Sequence, residues 1–138
     1  MVDGKRILVI DDNDMIRDMM CTILVDAGYR VVAAANGKEG LDALAAQPID
    51  LILTDILMPE KEGIETIIEV RKIRPDMRIV AISGGGRVHN FDPLVIAGKI
   101  GADVTLAKPF EPEDLLAVVD AAFAGAPGGG RVAGQATR

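Results

Sequence analysis

The sequence predicts an α/β fold in which five parallel strands form one doubly wound sheet with helices on both faces. Five short apolar runs recur at intervals of about 25 residues, the spacing of repeated strand–helix units. Helical patterns of apolar residues fill the intervals between the runs. Several runs are continuous rather than alternating, as expected of strands that are covered on both faces. The runs are Ile7–Ile10, Val31–Ala35, Leu51–Leu53, Ile79–Ile82 and Val104–Ala107.

The first two strand–helix units are marked by their helix ends. After the first run, apolar residues at helical spacing form a stripe that ends at Gly28, a residue type common just after a helix. The second run is followed by Asn36 and then Glu39, which is the pattern of a capping box at a helix start. The two stripes consist of Ile16, Met19, Met20, Ile23 and Leu24 in the first helix, and of Leu41 and Leu44 in the second.

Proline positions delimit the remaining helices. A third helix ends before Pro75, because the residue before a proline disfavours helical backbone. Pro93 opens a short fourth helix over residues 94–100, and Pro112 lies at the start of the C-terminal helix. Each strand is thus followed by a helix, in a (βα)5 order. The apolar stripes are Ile64, Ile67 and Ile68 in the third helix, and Leu115, Val118, Val119 and Ala122 in the C-terminal one.

The composition bounds the class of protein. With 138 residues, of which 49% are hydrophobic, the chain can bury the core of one domain. Its net charge of -6 argues against nucleic acid as a partner, since phosphate contacts need clustered Lys and Arg. The N-terminal segment is no signal peptide and no run reaches the length of a membrane span, so we expect a cytoplasmic protein. The single cysteine, Cys21, is predicted to be a core residue.

The composition changes near residue 124. The segment from Ala124 onward is rich in Gly and Ala, and such a sequence buries too little apolar surface to order itself. We therefore predict one folded domain over residues 1–123 and a flexible tail over residues 124–138.

Polar side chains follow the strands at one edge of the predicted sheet. Asp11 and Asp12 follow the first strand, Asp55 ends the third, Ser83 follows the fourth and Lys108 follows the fifth. In open α/β sheets ligands bind at the carboxyl ends of the strands. Mg²⁺ takes carboxylate oxygens and commonly bridges to a phosphate, so this set suits a divalent cation and a phosphoryl group. A single aspartate here could equally cap a helix, but three of them with a lysine indicate a site.

Asp55 is the best placed of these carboxylates to act as a nucleophile, because the third strand should be central. An aspartate that attacks a phosphoryl group forms an acyl phosphate. That reaction needs a metal to offset charge, and a cation and hydrogen-bond donors around the phosphoryl oxygens. Lys108 would be the cation and Ser83 the hydroxyl donor. Taken singly, the serine could be a turn residue and the lysine a solvated loop residue, so their role depends on the whole set.

Four motifs in this order closely resemble the receiver domain of two-component response regulators, of the single-domain, chemotaxis-regulator type. The resemblance covers about residues 5–123 and implies a flavodoxin-like fold with strand order 2-1-3-4-5. It also implies that Asp55 is the phosphoacceptor and that Ser83 and Lys108 bind phosphoryl oxygens. The motifs are Ile7-Leu-Val-Ile-Asp-Asp-Asn13, Asp55-Ile-Leu-Met-Pro-Glu-Lys-Glu-Gly63, Ser83 and Lys108-Pro-Phe110.

The same resemblance implies a Mg²⁺ site and a phosphoryl donor. Asp12 would bind the metal directly, Asp11 mainly through water, and Asp55 and the backbone carbonyl of Leu57 would complete the protein ligands. The phosphoryl group would come from a phosphohistidine on a sensor histidine kinase or a histidine phosphotransfer protein. The chain would then be a switch and not an enzyme, apart from catalysing its own phosphorylation and dephosphorylation.

Two of the features that differ from the usual pattern of that family bear on switching. Thr105 stands three residues before the lysine, where the family usually carries a Tyr or Phe whose ring moves inward on phosphorylation. The segment from Ser83 to Lys108 is about three residues longer than usual and begins with three glycines, which carry a large conformational entropy. We therefore predict switching by ordering of the Ser83–Phe91 loop, coupled to the 94–100 helix.

The output would pass to a downstream protein through the face formed by the 94–100 helix, the fifth strand and the C-terminal helix. The same face could also form a homodimer.

Other classes of function fit less well. An aspartate-nucleophile phosphohydrolase usually carries a second Asp two residues after the nucleophile, where this chain has Leu57. A nicotinamide site would need a G-x-G-x-x-G motif after the first strand. The alternative is a receiver-like interaction module that is not regulated by phosphate. Thr105 favours this alternative, whereas the intact set of Asp11, Asp12, Asp55, Ser83 and Lys108 argues against it.

Overall fold

Strands and helices alternate over residues 6–83, as the apolar runs and helical stripes predict. The computed structural model describes residues 4–56, 62–84, 101–125 and 131–133. Within these residues no helix is long and apolar enough to cross a membrane. The predicted 94–100 helix and most of the Ser83–Phe91 loop lie outside them. In chain order the elements are β1 (Arg6–Ile10), α1 (Asp14–Asp26), β2 (Arg30–Ala34), α2 (Gly37–Ala46), β3 (Leu51–Asp55), α3 (Glu62–Ile73), β4 (Arg78–Ser83), β5 (Val104–Ala107), α4 (Pro112–Ala124) and β6 (Arg131–Ala133).

All of these strands are parallel and lie in one sheet, in the order β2-β1-β3-β4-β5-β6. The predicted doubly wound fold with strand order 2-1-3-4-5 is therefore confirmed for the first five strands. The register places the strand ends level, since Asp55 pairs with Ile82 and Ser83 pairs with Ala107. The residues at the ends of β1, β3, β4 and β5 thus meet at one edge of the sheet.

The sheet contains one strand more than the five predicted. β6 pairs in parallel with the outer side of β5, so that Val132 lies opposite Thr105. The preceding helix, α4, supplies the crossover that a parallel pair requires. Three residues after a glycine-rich segment carry no periodic signal, which is why the sequence did not predict this strand. Residues Arg131–Ala133 of the predicted flexible tail therefore form a strand, and the domain boundary at residue 123 stays a prediction.

Two apolar cores lie on the two faces of the sheet, which explains the continuous apolar runs. Alternate residues of a strand point to opposite faces, so Ile7 and Val9 enter the first core, and Leu8 and Ile10 the second. α1 and α4 cover the first core, against which Cys21 packs while partly exposed, and α2 and α3 cover the second. The buried helix residues are Met20, Leu24, Leu115, Val118, Val119 and Ala122 on the first face, and Leu44, Ile67 and Val70 on the second.

Side-chain caps start the helices where the sequence predicts them. Asn36 Oδ1 accepts a hydrogen bond from Glu39 N at 2.9 Å, and Glu39 Oε1 accepts one from Ala35 N at 2.8 Å. The reciprocal bond thus reaches the residue before the cap, rather than the cap residue itself as in the usual capping box. Pro112 is the first residue of α4, where its missing N–H would have no helical partner anyway.

Candidate functional site

Asp11 and Asp12 lie in the short loop between β1 and α1. Asp11 N donates a hydrogen bond to Ala34 O at 3.2 Å, so the pairing between β1 and β2 continues one residue beyond the strand and buries Asp11 completely. Asn13 N then donates to Asp11 Oδ1 at 2.9 Å and turns the chain toward α1. Asn13 also caps that helix, because its Oδ1 accepts from Ile16 N at 3.0 Å. Asp12, between the two, has an exposed side chain.

Asp55 is the last residue of the central strand β3, with β1 on one side and β4 on the other. Ile56 N donates to Ile82 O at 2.9 Å, so the ladder holds the backbone on both sides of the Asp55–Ile56 peptide. Only 5% of Asp55 is exposed. The third strand therefore presents this carboxylate in a nearly fixed position at the edge of the sheet, as predicted from its place at the end of an apolar run.

The first turn of α3 packs directly against the end of β3 because residue 63 has no side chain. A Cβ atom at Gly63 would collide with the carbonyl oxygen of Asp55 and the Cα of Ile56, and would lie 2.9 Å from the Ile56 carbonyl carbon. Backbone atoms cannot rotate away from such a contact. The sequence motif includes Gly63, but the motif did not predict this close contact between α3 and β3. A glycine within a helix could have indicated it, because glycine there is less favourable than alanine by about 1 kcal/mol and therefore needs a structural reason.

Lys108 reaches two of the carboxylates. Its backbone N donates to Ser83 O at 2.7 Å, which extends the β4–β5 ladder by one residue, and its peptide bond to Pro109 is cis. Its Nζ lies 3.2 Å from Asp11 Oδ2 and 3.1 Å from Asp55 Oδ2. Burial lowers the pKa of Lys108, but the charges of the two aspartates and the hydrogen bonds to them outweigh burial and raise the pKa. The ammonium is therefore charged at neutral pH.

The three aspartates form one cluster of oxygen ligands. One carboxylate oxygen from each of Asp11, Asp12 and Asp55 lies within 4.8 Å of the other two. Three carboxylates and the single ammonium of Lys108 leave a negative excess, which a divalent cation would offset. Carboxylate oxygens are the ligands that Mg²⁺ takes, so the donor set fits this ion. Leu57 lies outside the described residues, and its carbonyl as a further ligand stays a prediction.

Ser83 and Thr105 bring two buried hydroxyl groups to the same face of the sheet. Ser83 pairs with Ala107, and Thr105 pairs with Ala81, so both side chains point to the second core. Neither Ser83 Oγ nor Thr105 Oγ1 has a hydrogen-bond partner among the residues that the structure describes. A buried hydroxyl without a partner is unfavourable by about 1–3 kcal/mol. Ser83, next to the end of β3, therefore has a hydroxyl available to a group bound at the sheet edge.

Parallel strands in this order, with carboxylates, a hydroxyl and a lysine at their carboxyl ends, define an open α/β protein in which the polar groups of the candidate site meet at one sheet edge. Residues 7–120 match the family model described as the response regulator receiver domain, and the chain belongs to this family. It is therefore a signalling module of two-component systems rather than a classical enzyme.

Relatives of known name support the same family. The chain is 39% identical over 111 residues to the chemotaxis protein CheY of Thermotoga maritima, a match that covers 79% of this chain and 89% of that protein. It is 35% identical over 122 residues to the DNA-binding transcriptional regulator NtrC of Azospirillum brasilense, covering 88% of this chain but 25% of that regulator. The crystal structure of a CheY-like receiver domain protein from Methanospirillum hungatei is 36% identical, with a TM-score of 0.76, over 85% of this chain and 91% of that one. Because the match to NtrC spans a quarter of that regulator, its DNA binding is not carried over.

Proposed function

We propose that this chain is a phosphorylation-dependent switch in which Asp55 accepts a phosphoryl group from a phosphohistidine of a sensor histidine kinase or a histidine phosphotransfer protein. One observation carries the proposal: Lys108 Nζ lies 3.1–3.2 Å from both Asp55 and Asp11, within a cluster of three carboxylates. The family supports it, since receiver domains interact with such kinases and with downstream targets. The geometry has the parts that transfer to an aspartate requires: a nucleophile, a cation beside it and oxygen ligands for a metal.

Each residue would have a separate role in the transfer. A carboxylate oxygen of Asp55 attacks the phosphorus, the P–N bond to the donor imidazole breaks, and its electron pair stays on that nitrogen. Asp11, Asp12, Asp55 and the carbonyl of Leu57 would hold Mg²⁺, which offsets the charge of the phosphoryl oxygens when it is bound. Lys108 would pair with a phosphoryl oxygen. Ser83 Oγ, which lacks a partner among the described residues, would donate a hydrogen bond to another.

The signal would leave the domain on the β5 side. The phosphorylated form would change its affinity for a downstream protein, or for a second copy of the chain, through the Ser83–Phe91 loop, the 94–100 helix, β5 and α4. β5 connects this side to the site directly, because Lys108 follows its last residue. Apart from its own phosphorylation and dephosphorylation, the protein would catalyse no reaction, and we place it in the cytoplasm.

Intact mass measured after incubation with acetyl phosphate and Mg²⁺ tests the proposal. We expect wild type to gain one phosphoryl group and Asp55→Asn to gain none, because the amide cannot act as the nucleophile. Asp42→Asn is the matched control: Asp42 is exposed on α2 and forms an ion pair only at the surface, so this variant should gain the group as wild type does.

Two results would contradict the proposal. If Asp55→Asn gained the same mass as wild type, the phosphoacceptor would be another residue. If wild type gained no mass and beryllofluoride, a mimic of the phosphoryl group, also failed to bind, the chain would be a receiver-like interaction module that phosphate does not regulate.

A further inference from the structure

Arg17 of α1 lies beside the loop that carries Asp11 and Asp12, and sequence reasoning gave it no role. Its Nη1 donates a hydrogen bond to the backbone carbonyl oxygen of Asp11 at 2.8 Å. Its Nη2 donates to Asp14 Oδ1 at 2.5 Å. The side chain is only 16% exposed, whereas that of Asp14 is 82% exposed. The guanidinium thus lies against the loop and is not extended into solvent.

Charge alone does not favour this position for an arginine. Arg17 is the fourth residue of α1, near the helix end where the peptide dipoles place partial positive charge. It also lies next to a cluster of carboxylates that fits a divalent cation. A second positive charge weakens the binding of a cation nearby. A directional role, through the hydrogen bond to Asp11, accounts for the position better than a charge effect.

The carbonyl that Arg17 contacts belongs to the peptide that joins Asp11 to Asp12. All the acceptor atoms of Asp11 therefore have donors: Oδ1 accepts from Asn13 N, Oδ2 from Lys108 Nζ, and the carbonyl oxygen from Arg17. Holding that carbonyl fixes the plane of the peptide from which the backbone of Asp12 continues. Asp12 itself has an exposed side chain, so its direction depends on this backbone.

We propose that Arg17 is a positioning residue for a divalent cation: its bond to the Asp11 carbonyl orients the Asp11–Asp12 peptide so that both carboxylates point at the metal. The inference rests on the metal site of the proposed function and adds a residue that does not touch the ion. Groups that orient metal ligands in this way typically change metal affinity about 10–100-fold when they are replaced.

The sign of the change in Mg²⁺ affinity separates positioning from charge. Arg17→Gln removes the positive charge and the forked donor. If Arg17 acts through its charge, this variant binds Mg²⁺ more tightly than wild type. If Arg17 positions the loop, the variant binds Mg²⁺ about tenfold more weakly. Arg17→Lys keeps the charge but has no planar fork to hold Asp11 and Asp14 together, so we expect a smaller loss than in Arg17→Gln.

Isothermal titration of the metal-free protein with Mg²⁺ measures these affinities, with the melting temperature of each metal-free variant recorded alongside. Asp14→Asn is the matched control, since it weakens the exposed ion pair and leaves the bond from Arg17 to the Asp11 carbonyl. We expect its Mg²⁺ affinity to stay within about twofold of wild type, because exposed ion pairs contribute little.

Wild-type or tighter Mg²⁺ binding by Arg17→Gln overturns the proposal. Should that variant fail to fold, Arg17→Lys decides, and an unchanged affinity there overturns it. A failure of the metal site itself looks different: wild type then shows no saturable Mg²⁺ binding, Asp12→Asn changes nothing, and both the site and the role of Arg17 are rejected.

Discussion

At the scale of single residues, the buried polar groups of the site fall into two sets. Asp11 and Lys108 have their donors and acceptors matched to one another, and this holds their side chains in one arrangement. Ser83 and Thr105 are buried hydroxyls that find no hydrogen-bond partner within the described structure. Ser83 lies at the site edge, where a phosphoryl oxygen could pair with it. Thr105 lies on β5, two residues before Ala107, which pairs with Ser83. It stands at the position where the family usually has an aromatic ring, farther from the sheet edge at which a phosphoryl group would bind.

Replacing Thr105 by valine should stabilise the folded protein by about 1 kcal/mol, because valine has nearly the same shape and removes a buried hydroxyl that has no hydrogen-bond partner among the described residues. Valine also suits a buried strand. The free energy of unfolding in urea measures the effect. Thr22→Val, at an exposed position of α1, is the control and should change stability by less than about 0.5 kcal/mol. A destabilised Thr105→Val protein would show that the hydroxyl has a partner after all.

At the scale of elements, the site depends on how closely α3 approaches β3. The close contact at Gly63 lets the helix begin against the backbone of Asp55 and Ile56, so the position of Asp55 and that of α3 are coupled. Sheet hydrogen bonds fix the other side of the same residues. A substitution at Gly63 should therefore change both the free energy of unfolding and the geometry of the site.

Gly63→Ala should destabilise the protein by about 1–3 kcal/mol, the usual range for overpacking, because the added methyl group would meet backbone atoms that cannot rotate away. Gly84→Ala is the matched control. The same methyl group at Gly84 meets no atom of the described residues within 4 Å, so the unfolding free energy of this variant should stay near that of wild type. Equal stability of the two variants in urea would mean that α3 can shift away from β3 without loss.

Tyr29 connects the start of β2 with α4. Its hydroxyl donates to Asp120 Oδ1 at 3.3 Å, and its ring stacks on Phe123 with a centroid separation of 6.0 Å. Burial, and to a lesser degree the charge and hydrogen bond of Asp120, raise the pKa of Tyr29 from 10.0 to about 12. The phenol therefore keeps its proton in the folded protein over a range of pH in which the unfolded chain loses it.

This shift predicts a loss of stability at alkaline pH. Because the pKa is raised on folding, the contribution of Tyr29 is complete below pH 10 and disappears as the pH rises from 10.0 to about 12. Tyr29→Phe lacks the ionisable group, so its unfolding free energy should fall less steeply over that range than that of wild type. Parallel pH dependences for the two proteins would show that the phenol does not ionise differently on folding.

At the scale of the whole molecule, the order of apolar runs was sufficient to predict five strands, their parallel direction and the edge at which Asp11, Asp12, Asp55, Ser83 and Lys108 meet. Those features follow from local patterns, because strands buried on both faces read as continuous apolar runs. Individual contacts between one element and the next were not predictable in this way. The close approach at Gly63 depends on backbone positions that no periodicity encodes, and the same holds for the bond from Arg17 to the Asp11 carbonyl.

β6 is the clearest case of such a contact, since only its pairing with β5 makes Arg131–Ala133 a strand. It covers the outer edge of β5, whose unpaired N–H and C=O groups would otherwise face water or another chain. A chain that ends at Gly125 should keep the fold of the first five strands, because the described core residues all lie before Gly125. The amides of β5 that face β6 should then exchange with solvent about tenfold faster or more, as expected for an edge that has lost its partner.

Residue-resolved hydrogen exchange by NMR measures this change in β5, with the amides of the central strand β3 as the internal reference. Val132→Pro in the full-length chain removes one backbone N–H opposite Thr105 and should reproduce part of the effect, whereas Val132→Ala keeps that N–H and should not. If the β5 amides were equally protected in the truncated and full-length chains, the pairing would contribute nothing in solution. If the β5 amides exchanged faster only on truncation, β6 would protect the β5 edge in solution. Any partner that binds at this edge would then first have to displace β6.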